Sequence, residues 1–179
     1  MGSEPNVKIG NEAIVCAEHT VIEGDVKIGC KTIVHPTVKI IAKNGPIVIG
    51  DFNLIEEYST IINKSEETMI IGNYNVFEVG SYSESLKIGD YNVIEYKARL
   101  SKNTLLKNGC VIGAKCVVDW DQTLDDNVVV YGPDCKTRIQ SEKPIAQTMQ
   151  LEFLSKIMPN YQPIRKPNWK LEKAMAKSQ

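Results

Sequence analysis

A large apolar residue recurs at almost every sixth position of this chain from Ile9 to Val130. We call these positions rung residues. They are Ile9, Val15, Ile22, Ile28, Val34, Ile40, Ile49, Ile55, Ile61, Ile71, Phe77, Ser83, Ile88, Ile94, Leu100, Leu106, Ile112, Val118, Leu124 and Val130. Only Ser83 is not large and apolar. A six-residue period fits neither the 3.6-residue helix nor the strict alternation of a hairpin.

This period predicts very short parallel strands, each with one inward rung residue, and three strands per turn of the chain. About eighteen residues then close one triangular coil, and equivalent strands of successive coils stack about 4.8 Å apart. The pattern therefore predicts an all-β solenoid over residues 7–135, in which the rung residues form one continuous apolar axis.

The first corner of each coil has a recurring sequence. Glycine follows the first rung residue of five coils and the second rung residue, Ile112, of a sixth, which indicates a corner where a side chain would clash or positive φ is needed. The glycines are Gly10, Gly29, Gly50, Gly72, Gly89 and Gly113. Asparagine stands four residues after the rung residue in three coils, and we expect it to take the left-handed angles of the corner.

Three coils repeat almost the same string, beginning at Ile49, Ile71 and Ile88. In register, their aromatic residues stack as an aromatic column and their asparagines form an adjacent amide ladder. These residues are Phe52, Tyr74 and Tyr91, and Asn53, Asn75 and Asn92. The aromatic column either stiffens the corner or contacts a partner, because exposed aromatic residues are favoured at interfaces.

A column of acidic residues is predicted on the next side of the coil. Glu56, Glu78 and Glu95 each follow a rung residue, so their side chains point outward and stack; we call them the glutamate column. Neighbouring carboxylates about 4.8 Å apart repel by about 0.9 kcal/mol even in water, so we expect their removal to be tolerated. They either splay into solvent or pair with neighbours such as Lys97, or they form a docking stripe for a basic or amide-rich partner.

The six-residue period stops after Cys135, and residues 136–162 predict a linker and one helix. Pro144 is suited to a helical first turn, and Pro159 is expected to end the helix. An i, i+4 row of Ile145, Met149, Phe153 and Ile157 is widened by Leu151, Leu154 and Met158. So broad an apolar surface either packs on or caps the solenoid, or binds a partner. Residues 163–179 are basic and predict a flexible tail, either solvated or touching an acidic partner.

Composition narrows the function classes. The chain has 179 residues and a formal net charge of −1, which gives no argument for nucleic acid. It contains no run of eighteen apolar residues, so no membrane span is predicted, and its first eight residues do not form the apolar core of a secretory signal. The five cysteines lack a CxxC spacing, so we interpret them as reduced, mostly buried thiols of a cytosolic protein.

The repeat resembles that of the hexapeptide-repeat left-handed β-helix proteins, in which an aliphatic residue and glycine open each six-residue unit. The likeness is closest to the dynactin subunit 6 family, over roughly residues 7 to 162. The segments that carry it are 45–50, 53–57, 69–72, 75–80, 109–114, 147–154 and 158–161. The left-handed coil is what this resemblance implies, since a period does not reveal handedness.

Other hexapeptide-repeat proteins are enzymes, and their chemistry requires histidine. The γ-type carbonic anhydrases bind zinc with three histidines, whereas this chain has only His19 and His35. The acyltransferases use a histidine as general base, for which His35 is the one plausible residue, although we expect it to face solvent. We therefore predict no catalytic residue, no metal site and no cofactor, with a small-molecule acyltransferase as the alternative function.

The resemblance implies a non-catalytic adaptor subunit of the dynactin pointed-end complex in the cytoplasm, on the cytoskeleton. Its implied partners are dynactin subunit 5, subunit 4 and the actin-related pointed-end subunit, and indirectly dynein adaptors or cargo. Such a subunit supports dynein-driven transport along microtubules, and it is not an obligate homotrimer as acyltransferases of this fold typically are.

Overall fold

A computed structural model describes residues 6–165, which form a parallel β-helix of about seven turns followed by one helix. Three parallel sheets build the three sides, with seven, nine and six strands. The predicted solenoid, its three-sided coil and its left-handed fold class are confirmed. We call the sides sheets A, B and C and number the strands in chain order.

Sheet A contains β1 (Val7–Ile9), β4 (Val26–Ile28), β7 (Ile47–Ile49), β10 (Met69–Ile71), β13 (Lys87–Ile88), β16 (Thr104–Leu106) and β19 (Gln122–Leu124). Sheet B contains β2 (Ile14–Cys16), β5 (Ile33–Val34), β8 (Leu54–Ile55), β11 (Val76–Phe77), β14 (Val93–Ile94), β17 (Val111–Ile112), β20 (Val128–Tyr131), β21 (Lys136–Ile139) and β22 (Ile164–Arg165). Sheet C contains β3 (Val21–Glu23), β6 (Lys39–Ala42), β9 (Thr60–Asn63), β12 (Tyr82–Ser83), β15 (Arg99–Leu100) and β18 (Val117–Val118).

The rung residues form the core, as their period predicts. All twenty are buried, including Ser83, whose hydroxyl accepts a hydrogen bond from the Ser85 amide at 3.2 Å. Ile71 lies opposite Ile49 and Ile88 in the neighbouring strands, so each rung residue packs on its equivalents above and below. The apolar axis is continuous for this reason.

Sheet B is apolar on its outer face as well. The outward residue of every coil on this side is aliphatic: Ile14, Ile33, Leu54, Val76, Val93, Val111 and Val129. The single helix, α1 (Thr148–Tyr161), covers this face in the first coils by packing Leu151 and Met158 against it. A sheet that is buried on both faces carries apolar residues on both faces. The aliphatic outward residues of sheet B are therefore the sequence signal that another element packs on this face.

The predicted limits of α1 are wrong, and only part of its predicted apolar surface, Leu151, Leu154 and Met158, packs on the solenoid. The helix starts after Pro144 and continues through Pro159, which lies in its last turn and removes one backbone donor there. Met149 and Phe153 of the expected row are 85% and 61% exposed. The buried face instead follows Leu151, because only the i, i+3, i+7 series Leu151, Leu154, Met158 points at sheet B once the helix lies along it.

The segment after the last coil supplies an additional paired strand at each end of sheet B. Strand β21 pairs antiparallel with β20 at the last coil, and β22 pairs antiparallel with β2 at the first coil. Part of the expected flexible tail is therefore a strand, because the edge amides of the first coil need hydrogen-bond acceptors. The Ala17 amide, for example, donates to the carbonyl of Pro163 at 2.7 Å. The other tail residues, 166–179, lie outside the described residues.

We predict opposite outcomes for the same substitution at adjacent positions of β10. Ile71 is 1% exposed and points inward, whereas Ile70 is 50% exposed on the outer face. Ile71→Asp buries an unpaired charge and should prevent folding, a loss of several kcal/mol. Ile70→Asp is the matched control and should melt within a few degrees of the parent protein. Equal melting temperatures for the two variants would contradict the inward register.

Candidate docking surfaces

The aromatic column lies at the corner between sheets A and B. The ring centroids of Phe52 and Tyr74 are 4.9 Å apart and those of Tyr74 and Tyr91 are 4.8 Å apart, with the rings nearly parallel. The predicted stack is present. The aromatic residues, not the asparagines, take the left-handed angles, with φ of 55°, 57° and 58°. That expectation for the asparagines was wrong, because their amides are needed inside the corner.

The three asparagines form a buried amide ladder. Asn53 Oδ1 accepts from the Asn75 amide at 2.8 Å, and Asn75 Oδ1 accepts from the Asn92 amide at 2.9 Å. The ladder ends on the Cys110 amide, which donates to Asn92 Oδ1 at 2.8 Å. The glycine three residues before each asparagine is required by the lack of space, since a Cβ on Gly50 would lie 2.6 Å from the carbonyl oxygen of Gly72. The backbones of successive coils therefore leave no room for a side chain at this position.

A second ladder runs along the outer side of the same corner. In the third to seventh coils, the residue after the glycine position accepts a hydrogen bond from the backbone amide of its equivalent one coil earlier, at 2.6–2.8 Å. These residues are Asp51, Asn73, Asp90, Asn108 and Asp126, and we call them the outer ladder. Acid and amide alternate along it. The alternation keeps carboxylates two coils apart, which avoids the repulsion of like charges directly opposite across strands.

We predict that this alternation contributes to stability. Asn73→Asp keeps an acceptor for the Asp51 amide but places three carboxylates in successive coils, at a cost of about 1–2 kcal/mol. The matched control, Asp90→Asn, removes a charge and should be nearly neutral. Urea unfolding checks both, and the loss in Asn73→Asp should shrink in 1 M salt, where the screening length is about 3 Å. Equal stability of the two variants would contradict an electrostatic role for the alternation.

Lysines lie over both ends of the aromatic column. Lys31 Nζ is 5.5 Å from the centroid of Phe52, and Lys143 Nζ is 3.5 Å from that of Tyr91. Lys143 belongs to the linker before α1, which crosses the corner where Gly109 replaces the next aromatic residue. A Cβ on Gly109 would lie 2.9 Å from Lys143 Cβ. The chain's own linker thus covers one end of the column, so its rings are only half-exposed.

The glutamate column is bonded to the backbone rather than splayed into solvent. One oxygen of each carboxylate accepts a hydrogen bond from an amide in the next coil: Glu56 from Val79 at 3.1 Å, Glu78 from Tyr96 at 2.9 Å and Glu95 from Ala114 at 2.8 Å. The expectation that folding tolerates their removal is therefore not supported. These amides sit at a corner, where the sheet ladder supplies no other acceptor.

Repulsion within the glutamate column still acts on its first member. Burial raises the pKa of Glu56, and the neighbouring carboxylates of Glu78 and Glu57 raise it further, against the lowering effect of the Val79 amide. Because the pKa is raised in the folded state, ionisation of Glu56 costs stability as pH rises above its ordinary value. The hydrogen bonds hold the column together in spite of this cost.

We predict that Glu78→Ala and Glu78→Gln separate the acceptor from the charge. Alanine leaves the Tyr96 amide without its partner and should lower the free energy of unfolding by about 1–2 kcal/mol. Glutamine keeps an acceptor oxygen and relieves repulsion with Glu56, so it should change stability by less than half as much. Chemical denaturation at neutral pH measures both. An alanine variant as stable as the parent would show that the bond contributes nothing.

His35 is enclosed, contrary to the expectation that it faces solvent. Its side chain is only 14% exposed, and its Nδ1 is 2.7 Å from Glu57 Oε1. Its Nε2 is buried and has no hydrogen-bond partner among the described residues. Cys16, in the neighbouring strand, is also buried, and burial raises the pKa of its thiol to about 11. An enclosed imidazole cannot reach an acceptor substrate without movement of the segment around it.

The other cysteines are free thiols, as expected. Burial raises the pKa of Cys110 and of Cys116 to about 11 each, which keeps them protonated at neutral pH. Within residues 6–165 no group of three or more histidine, cysteine or acidic side chains is arranged to hold a metal ion. None of the helices in that range is long and apolar enough to cross a membrane.

A charged cluster on the outer face of sheet C was not anticipated. Lys64 Nζ donates to Glu84 Oε1 at 2.6 Å, the Tyr82 hydroxyl bonds the same carboxylate, and the Arg99 guanidinium lies 4.1 Å from the Tyr82 ring centroid. Burial alone would raise the pKa of Glu84, but the bonds from Lys64 and Tyr82 lower it below its ordinary value. Lys64, the Tyr82–Glu84 pair and Arg99 come from three successive coils, so the coil register brings them together.

Comparison with known proteins gives the family. The chain is 49% identical over 172 residues to dynactin subunit 6 of Xenopus tropicalis, covering 90% of this chain and 85% of the relative. It is 50% identical over 171 residues to dynactin subunit 6 of Nematostella vectensis, covering 89% and 92%. The chain belongs to the dynactin subunit 6 family. The subunit 6 of Dictyostelium discoideum is 39% identical over 165 residues, covering 87% of this chain and 86% of that one.

Two solved structures that match this fold are named as transferases. A putative acetyltransferase of Bacillus cereus matches with a TM-score of 0.67 at 18% identity, covering 86% of this chain and 87% of that one. A hexapeptide transferase family protein of Anaplasma phagocytophilum matches with a TM-score of 0.60 at 14% identity, covering 87% and 94%. At such low identity the likeness shows the fold alone. No family model matches the chain.

Proposed function

We propose that this chain is a non-catalytic subunit of the dynactin pointed-end complex, in the cytoplasm and on the cytoskeleton, where it docks other proteins for dynein-driven transport along microtubules. The observation that carries the proposal is the 39–50% identity to dynactin subunit 6 along nearly the whole chain. The proposed partners are dynactin subunit 5, subunit 4 and the actin-related pointed-end subunit, and through them dynein adaptors or cargo.

The chemistry of the described residues supports a non-catalytic role. The one candidate base, His35, is enclosed and held by Glu57, and its free ring nitrogen is buried. The buried thiols of Cys16 and Cys110 have raised pKa values, so neither is an activated nucleophile. The alternative function, acyl transfer to a small molecule, requires a base that is open to the acceptor.

Two columns are proposed to contact partners, each alongside its structural role. The glutamate column of Glu56, Glu78 and Glu95 uses one carboxylate oxygen for the backbone and remains half-exposed, so it presents negative charge along the corner between sheets B and C. The aromatic column of Phe52, Tyr74 and Tyr91 lies at the other corner of sheet B, between sheets A and B, and its rings are half-exposed there. A basic or amide-rich partner surface fits the first column.

Affinity purification of the tagged full chain from cells tests the proposal. We expect stoichiometric recovery of dynactin subunits, and a purified chain that does not form a homotrimer. Recovery of a free homotrimer that transfers an acetyl group from acetyl-coenzyme A, with the transfer abolished in His35→Asn, would overturn it in favour of the acyltransferase.

The glutamate column has its own test in the same purification. Changing Glu56, Glu78 and Glu95 together to glutamine keeps the backbone acceptors and removes the charge, so the variant should fold while recovering less of the dynactin subunits. The matched control changes Glu23, Glu66 and Glu67 to glutamine, three exposed residues elsewhere on the surface. Unchanged recovery at physiological salt would show that the charge of the column is not used in docking.

A further inference from the structure

An open groove lies between α1 and the first coils. It has a volume of about 330 Å³ and sits against the corner between sheets A and B. Its apolar walls come from Ile14, Phe52 and Leu151. Its rim is polar and consists of Glu12, Lys31, Thr148, Glu152 and Ser155. Phe52 is the first ring of the aromatic column, so the groove lies at that end of the column, where Lys31 Nζ lies over the ring.

The described chain ends while heading toward this groove. Strand β22 runs antiparallel to β2, with Ile164 opposite Cys16 and Arg165 opposite Val15. The next residue of β2 in that direction is Ile14, which lines the groove. Trp169 follows Arg165 by four residues, and an extended chain of that length reaches about 13 Å. The groove is therefore within reach of this tryptophan in the same molecule.

The chemistry of the segment matches that of the groove. An indole is flat and apolar, so it suits walls made of Ile14, Leu151 and the ring of Phe52, and stacked or edge-on aromatic pairs are favourable. Its N–H donor needs an acceptor, which the rim carboxylates and hydroxyls supply. Residues 166–179 carry four lysines and one glutamate. The rim carries two carboxylates, of which Glu12 lies 3.6 Å from Lys31.

We propose that the groove is the docking site of Trp169 from the chain's own C-terminal segment, with its flanking lysines against Glu12 and Glu152. The segment after β22 thereby adds a side-chain anchor to the strand pairing that holds it on the first coil. This inference does not depend on the proposed role in dynactin.

Tryptophan fluorescence of the full chain tests the proposal. Trp120 is the only other tryptophan and is half-buried, so Trp120→Phe leaves Trp169 as the sole emitter. We expect its emission at shorter wavelength than that of indole in water, with protection from acrylamide. Ser155→Phe fills the groove and should move the emission to longer wavelength and remove the protection. The double change Glu12→Lys and Glu152→Lys should do the same by repelling the lysines.

A matched control and three outcomes decide the question. The control is Glu66→Lys with Glu67→Lys, which makes the same charge change at exposed sites away from the groove and should leave the emission unchanged. Solvent-like emission of Trp169 in the Trp120→Phe protein would overturn the proposal, as would emission that neither groove variant alters while both keep the melting temperature of Trp120→Phe. A short-wavelength emission that disappears on dilution would also overturn it, because the tryptophan would then occupy the groove of a second copy.

Discussion

Parallel pairing in register between successive coils is the constraint on which this structure depends. Strands of two to four residues bond to their equivalents above and below, so every side chain lies against the same position of the next coil. Each column of the solenoid must therefore be compatible with copies of itself about 4.8 Å away. Aliphatic, aromatic and amide side chains meet this condition readily, whereas charged side chains do not.

The arrangement of carboxylates at the two corners of sheet B follows from that constraint. On the outer ladder, acid and amide residues alternate from Asp51 to Asp126, so that no two carboxylates are direct neighbours. In the glutamate column three carboxylates are direct neighbours, and each accepts a backbone amide of the next coil. One corner thus avoids the repulsion, while the other offsets it with charge-assisted hydrogen bonds. The second arrangement leaves a concentrated charge at the surface.

The open ends of a solenoid expose strand edges, and here one segment protects two of them. After the last coil the chain adds β21 to sheet B, crosses the corner at Gly109, lays α1 along the outer face and returns to the first coil as β22. The pairing partners of sheet B are thus supplied at both ends by the same 30 residues, from 136 to 165. Within residues 6–165, this leaves the outer faces of sheets A and C as the sides that no other element of the chain covers.

The sequence by itself determined the coils, the inward rung residues and the stack of Phe52 on Tyr74, because each of these repeats along the chain with a fixed period. It also contained an unused signal for sheet B, whose outward residue is aliphatic in all seven coils. Only the tertiary structure decided which face of α1 is buried, that His35 is enclosed beside Glu57, and that the glutamates bind backbone amides. These features depend on groups from different coils meeting at a corner, and a periodicity along one chain does not specify the atoms that meet there.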